Sequence, residues 1–260
     1  MAKKFAESGL DTAGIRSMQH LFHSVQARLP WPKRYDDFPG GALPQHAVRL
    51  LVLPLDASPS LTAVASVVTR DVRAALPPEA SVFCNARSNY HVTVFHTSHP
   101  TDQRPSPRAP GGGVAAGGAP SRAPTAAELA EEADVVAACV ARVASPRLVL
   151  DRVVMAASGT LLLTWVDPTG NVAALRESLH AAFPGACTKQ ARIIHSSLLR
   201  VLSDEQLSSD DVRKVNDVCE RWTAKLRGRC VSPPLAWWVN ETEFSTIVGD
   251  RTLMPLRRVA

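Results

Sequence analysis

The chain has 260 residues, 45% of them apolar, and a formal net charge of +5 carried by arginines spread along its length. That is enough chain to bury a core without disulfide or metal staples, and no apolar run approaches the ~18 residues of a membrane span. Five well-separated cysteines without a Cys-x-x-Cys pair argue against a disulfide framework or a zinc knuckle, so the expectation is a soluble, cytoplasmic chain.

Residues 1–45 are weakly patterned and read as an N-terminal extension, with an amphipathic helix between Phe5 and Leu29. Glu7 and Asp11 sit badly with a transit peptide, and His20 and His23 read as surface residues. The predicted folded domain then runs from 46 to 260. It opens on a buried strand, His46 to Leu55, followed by Ser58-Pro59 as the cap and first position of a helix. Leu61, Val64, Val68, Val72 and Leu76 give that helix one apolar stripe, and Pro77-Pro78 ends it. A strand over Asn89 to Phe95 comes next.

Six prolines and five glycines fall between Pro100 and Pro124, which reads as a flexible insertion that cannot pack. Thr125 and Glu128 then form a capping box for a helix to about Val143. Two strands, Arg147 to Ala156 and Thr160 to Val166, are joined at Ser158-Gly159 as a hairpin. A helix with Val172, Leu175, Leu179 and Phe183 on one face leads to a strand over Arg192 to Leu198. Ser203 and Gln206 suit a second capping box before a long helix through Val212, Cys219 and Leu226. Stretches 230–244 and 252–259 read as closing strands.

Element order therefore repeats: strand, helix, then a strand carrying a histidine. Because side chains alternate along a strand, His91 and Thr93 share one face, as do His195 and Ser197. Two such strands side by side offer two imidazoles flanked by two hydroxyls. One imidazole can take a proton and the other give one, at the ordinary histidine pKa of ~6.5, while the hydroxyls donate to phosphate oxygens.

His91-Val92-Thr93 and His195-Ser196-Ser197 resemble the tandem His-x-Thr/Ser signature of the two-histidine (2H) phosphoesterases, the superfamily of bacterial LigT-like RNA ligases and plant cyclic nucleotide phosphodiesterases. The resemblance spans roughly residues 48–258 and looks closest to the plant-type proteins. It implies an α+β, bilobal fold of duplicated strand-helix-strand units, with two antiparallel sheets around a central groove. It also implies a metal-independent phosphoesterase without cofactor, opening 2′,3′-cyclic phosphates of RNA ends or nucleotides, or the related cyclic phosphate of ADP-ribose, and the chain is expected to be a monomer. A 2′-5′ RNA ligase and an inactive nucleotide or RNA binding module are the alternatives. Ser196 departs from the apolar residue common at that position.

Tyr90, Lys189 and Arg200 are further candidate substrate contacts, and Arg192 flanks the second motif. Tyr90, Phe95, Trp237 and Trp238 suit either base stacking or a core. His96 lies on the opposite strand face from His91 by simple alternation, which argues against His91, His96 and His99 sharing a zinc ion.

Overall fold

The computed structural model describes residues 2–26, 29–114 and 122–257. In chain order these form α1 (Ala2–Ser8), α2 (Thr12–Gln19), β1 (Phe22–His23), β2 (Trp31–Pro32), β3 (Arg49–Pro54), α3 (Pro59–Ala75), β4 (Val82–Cys84) and β5 (His91–Ser98). They continue with α4 (Ala126–Arg142), β6 (Leu148–Met155), β7 (Thr160–Val166), α5 (Asn171–Ala182), β8 (Ile194–Val201), α6 (Ser209–Leu226), β9 (Cys230–Val231), β10 (Leu235–Glu241) and β11 (Gly249–Pro255).

Two antiparallel sheets organise the molecule. One has four strands in the order β11-β10-β3-β5, the other five in the order β4-β8-β7-β6-β9. They abut where β5 lies against β8. The helices cross between them: α3, which follows a strand of the first sheet, packs on β8 and α6, while α5, which follows a strand of the second, packs beneath β5. Each sheet thus buries one face against helices, and the expected α+β architecture of two antiparallel sheets is present.

The main core fills the space between the helices and these faces, with Leu51, Leu53, Phe95, Leu150, Leu163 and Phe183 nearly solvent-free. Arg49 and Glu132 form an ion pair of 2.9 Å inside it, with side chains 0% and 1% exposed. Thr97 also donates to Glu132, so α4 is pinned to both β3 and β5. Such a pair costs desolvation but fixes position, because neither charge can be left alone.

Several expectations need correction. The N-terminal stretch is two short helices broken at Gly9, which adopts φ +66°, and not one helix to Leu29. Phe5, Leu10 and Ile15 are buried in the main core, so this stretch packs with the rest of the fold. The long helix α6 is capped by Ser208, whose hydroxyl accepts from the Asp211 amide. Ser203 instead accepts from the Ser81 amide, and the Gln206 amide side chain donates to the Leu10 carbonyl. β8 starts and ends two to three residues later than expected, and β4 is an additional strand between α3 and β5.

The Pro/Gly segment is packed over its described part. Gly185 N–H donates to the Pro107 carbonyl at 2.8 Å, and a Cβ on Gly185 would lie 2.0 Å from the Ala109 carbonyl oxygen. Contact here runs through backbone at glycine, which leaves no apolar period to read. Residues 115–121 of that segment, and the end of the last predicted strand at 258–259, lie outside the described residues.

Candidate active site

The sheet faces turned away from the helices enclose a groove with a cavity of about 860 Å³, lined by His91, Thr93, His195, Ser197, Arg200 and Lys189 among others. Both histidines therefore open onto one space, one from each sheet. On β5, His91 stands opposite Pro54; on β8, His195 stands opposite Thr164. The Nδ1–H of His91 donates to the Asn89 carbonyl at 2.7 Å, and that of His195 faces the Ile193 carbonyl at 3.4 Å. In both cases the partner lies two residues back, and the bond assigns the proton to Nδ1. Nε2 is left as a bare acceptor for the groove.

A bulge follows each motif. Phe95 pairs with Leu51 and Thr93 with Val52, so Val94 has no partner; Leu199 pairs with Leu161 and Ser197 with Leu162, so Leu198 has none. A bulge sets two residues against one and so resets the alternation of faces. His96 consequently lines the groove with His91 and Thr93, and Arg200 lines it with His195 and Ser197. The expectation that His96 faces away fails for this reason: strict period 2 does not survive an extra residue.

The bulges also need backbone partners, and Arg176 of α5 supplies them on β5. Its guanidinium donates to the carbonyls of Val94 at 3.0 Å, Thr93 at 3.1 Å and Ile193 at 3.2 Å. One side chain thus ties the β5 motif to the residue just before β8. Arg176 is not among the residues expected at the site, although its position one residue after Leu175 places a charge inside the apolar stripe of that helix. On the first motif, Arg251 plays a related part, donating to the Asn89 side chain at 3.4 Å with its guanidinium 4.5 Å from the Trp237 ring centre.

These surroundings are cationic and partly dry. Burial, opposed by the bond to the Asn89 carbonyl, pushes His91 down to about 4, with His195 and Arg251 adding to the fall. Burial lowers His195 too, with Arg176 and Arg200 contributing. The ordinary pKa expected for both is therefore corrected downward, because charging an imidazole here means charging it among cations. Burial alone lowers Arg200 to about 10. The only hydrogen-bond partner of the Arg200 guanidinium among the described residues is the Met18 sulfur at 3.6 Å.

Other expected residues are placed as follows. Lys189 and Arg192 are exposed at the groove. Tyr90 is not a groove residue: it is 2% exposed, and its hydroxyl lies 3.3 Å from that of Thr69 on α3. It immediately precedes His91, so alternation turns it inward to the core. Phe95 and Trp238 are likewise core residues, whereas Trp237 pairs with Val52 in the same cross-strand row as Thr93. Ser196 is fully buried on the other face of β8 and accepts from the Trp165 indole at 3.1 Å, which accounts for a hydroxyl where an apolar residue is common. Among the described residues, no group of three His, Cys, Asp or Glu side chains is placed to hold a metal ion, and no helix is long and apolar enough to cross a membrane.

Two antiparallel sheets meeting at a groove with one His-x-Thr/Ser strand from each define the two-histidine phosphoesterase fold, and this chain has it. Usb1 of Kluyveromyces marxianus is similar at a TM-score of 0.50 and 11% identity, over 82% of this chain and 99% of that one. A conserved protein of unknown function from Agrobacterium tumefaciens is similar at 0.54 and 12% identity, over 84% of this chain and 91% of that one. The sequence itself matches no family model and no curated protein.

Proposed function

We propose that the protein is a cyclic phosphodiesterase that opens 2′,3′-cyclic phosphates of RNA ends or nucleotides, or the cyclic phosphate of ADP-ribose, by two-histidine acid–base catalysis. The observation that carries this reading is the matched pair of imidazoles. Each is tied at Nδ1 to a carbonyl two residues back, each has a hydroxyl two residues on, and both open onto one groove.

The chemistry follows from those atoms. One neutral Nε2 takes a proton from water as its oxygen attacks phosphorus. The other histidine, protonated, gives its proton to the ribose oxygen as the P–O bond breaks, leaving a phosphomonoester. Thr93 and Ser197 donate to the non-bridging oxygens and hold the line of attack. An anionic phosphate between the rings favours the charged imidazole, which restores to one of them the proton that burial disfavours. Arg200 fits the same purpose, since a desolvated guanidinium without a carboxylate is stabilised by a bound anion. A strained five-membered ring needs no metal for this sequence of transfers.

The test is a substrate panel of 2′,3′-cyclic nucleotides, RNA with a cyclic end and ADP-ribose cyclic phosphate, read for phosphomonoester product beside binding. Product is expected from at least one. Binding without product would establish an inactive module instead, and joining of tRNA halves without ATP would favour the 2′-5′ ligase direction.

A further inference from the structure

The groove continues past the two motifs, and its far end is built from residues the reaction does not use. The bulge at Val94 brings His96 to the groove face, and His99 and Lys189 line the same cavity. The His96 and His99 rings meet edge to face, with centres 5.4 Å apart. His99 Nδ1 accepts from the Thr101 amide at 3.2 Å, which assigns its proton to Nε2. His96 Nδ1 is buried without a hydrogen-bond partner among the described residues.

The scaffold around this end is well tied. Gln190 accepts from the His96 amide at 3.0 Å and donates to the His96 carbonyl at 2.7 Å. Asp102 accepts from both the amide and the hydroxyl of Thr188, at 2.7 and 2.8 Å, so the described part of the Pro/Gly segment holds the loop carrying Lys189. Asp102 is itself neutralised by Arg104 at 2.7 Å, which leaves Lys189 to set the sign of the field here. The Nε2–H of His99, the unpartnered His96 ring and one ammonium make an anion site.

We infer that His96, His99 and Lys189 form a second phosphate site, which receives the phosphate on the 5-oxygen of the same ribose whose other hydroxyls carry the cyclic phosphate. The inference rests on the phosphodiesterase reading above. With one residue bulged out, Thr93 and His96 are separated by roughly two strand rises, about 7 Å, the scale of one nucleotide step. A 2′,3′-cyclic ribose has only its 5-oxygen free to carry a further phosphate, so the second anion must sit on that side. The preferred ligand is thus a 5′-phosphorylated nucleotide, or an RNA chain continuing through that oxygen, in preference to a bare nucleoside cyclic phosphate.

Two measurements test this. The first compares kcat/KM for a nucleoside 2′,3′-cyclic phosphate with and without a 5′-phosphate, in the native protein, Lys189→Ala, Lys189→Arg and His96→Phe. The native protein should prefer the 5′-phosphorylated compound at least tenfold. Lys189→Ala and His96→Phe should bring the ratio near one, and Lys189→Arg should retain most of it. A dinucleotide with the same cyclic end separates a terminal monoester from an internucleotide diester, and preference for either supports the site. Equal kcat/KM with and without the 5′-phosphate in the native protein overturns it.

The second titrates a nucleoside 5′-monophosphate into His91→Ala/His195→Ala, which lacks both motif imidazoles. A tenfold weakening on adding Lys189→Ala supports the site even where no cyclic phosphate is turned over, the result that would remove the phosphodiesterase reading. Unchanged binding overturns the site while leaving that reading intact. Lys189 is exposed, so its replacement does not threaten the fold.

Discussion

His96 and Arg200 occupy matching places on the two groove strands, each three residues beyond its motif hydroxyl and each turned inward by a bulge immediately after that hydroxyl. The duplication is thus carried into backbone irregularities as well as into element order. The side chains at the two matched places differ, an imidazole in one half and a guanidinium in the other. The groove therefore has two chemically distinct ends around a near-symmetric centre.

Removing either motif imidazole should reduce turnover of a cyclic phosphate by about 10²- to 10⁴-fold, the usual contribution of a positioned acid or base. His91→Ala and His195→Ala are each expected to melt slightly below the native temperature near neutral pH, since each neutral ring gives up one contact to a backbone carbonyl and little else. Steady-state kinetics with a thermal melt checks both. Native-like kcat/KM in either variant would remove that histidine from the mechanism.

The pH profile should peak on the acid side. One histidine must be charged and the other neutral, and both are held below the ordinary ~6.5, so the optimum of kcat/KM is expected below that value. The apparent pKa values belong to the coupled pair. An optimum at or above pH ~7.5 would contradict the electrostatics described here.

Stability should fall on acidification. His91, His96 and His99 are held near 4, 3 and 4 by burial, and His195 is lowered as well. The unfolded chain takes up these protons near ~6.5 while the folded one resists, so stability is full above ~6.5 and is lost as pH falls toward about 4. Glu241, raised to about 6 by burial, and Glu132, also raised by burial, act in the opposite sense and offset part of this. The net loss is expected to be several kcal/mol, read as a fall in Tm between pH 7 and 5.

Arg176→Met should both slow and destabilise the protein. Three carbonyls lose a charged donor, at about 1.5–3 kcal/mol for a hydrogen bond of this kind, discounted where water can replace it. With the two motif strands no longer tied, kcat should fall about 10- to 100-fold with little change in KM. Arg176→Lys, which reaches fewer carbonyls, is expected between the two. A change confined to Tm would make Arg176 structural only.

Arg200→Met should raise KM for a cyclic phosphate by about tenfold or more, because it removes a desolvated charge from the phosphate's surroundings. Stability should rise or hold, since the half-buried guanidinium has only the Met18 sulfur for a partner among the described residues. Lowered Tm with unchanged KM would assign Arg200 to the fold.

Element order, the α+β class and the two motifs follow from the residues in order, because helix and strand periods and the His-x-Thr/Ser spacing are local. That His91 shares a face with Thr93, and His195 with Ser197, was legible since two residues along a regular strand share a face. What period 2 misplaces emerges only from the assembled sheets. Bulges at Val94 and Leu198 brought His96 and Arg200 round to the groove, and neither leaves a mark in composition. Packing of helices across to the opposite sheet brought Arg176 beneath both motif strands, and backbone contact at Gly185 packs the described part of a segment that looks unable to pack. These depend on which groups remain unpaired once the sheets meet, and that is set by the whole chain at once.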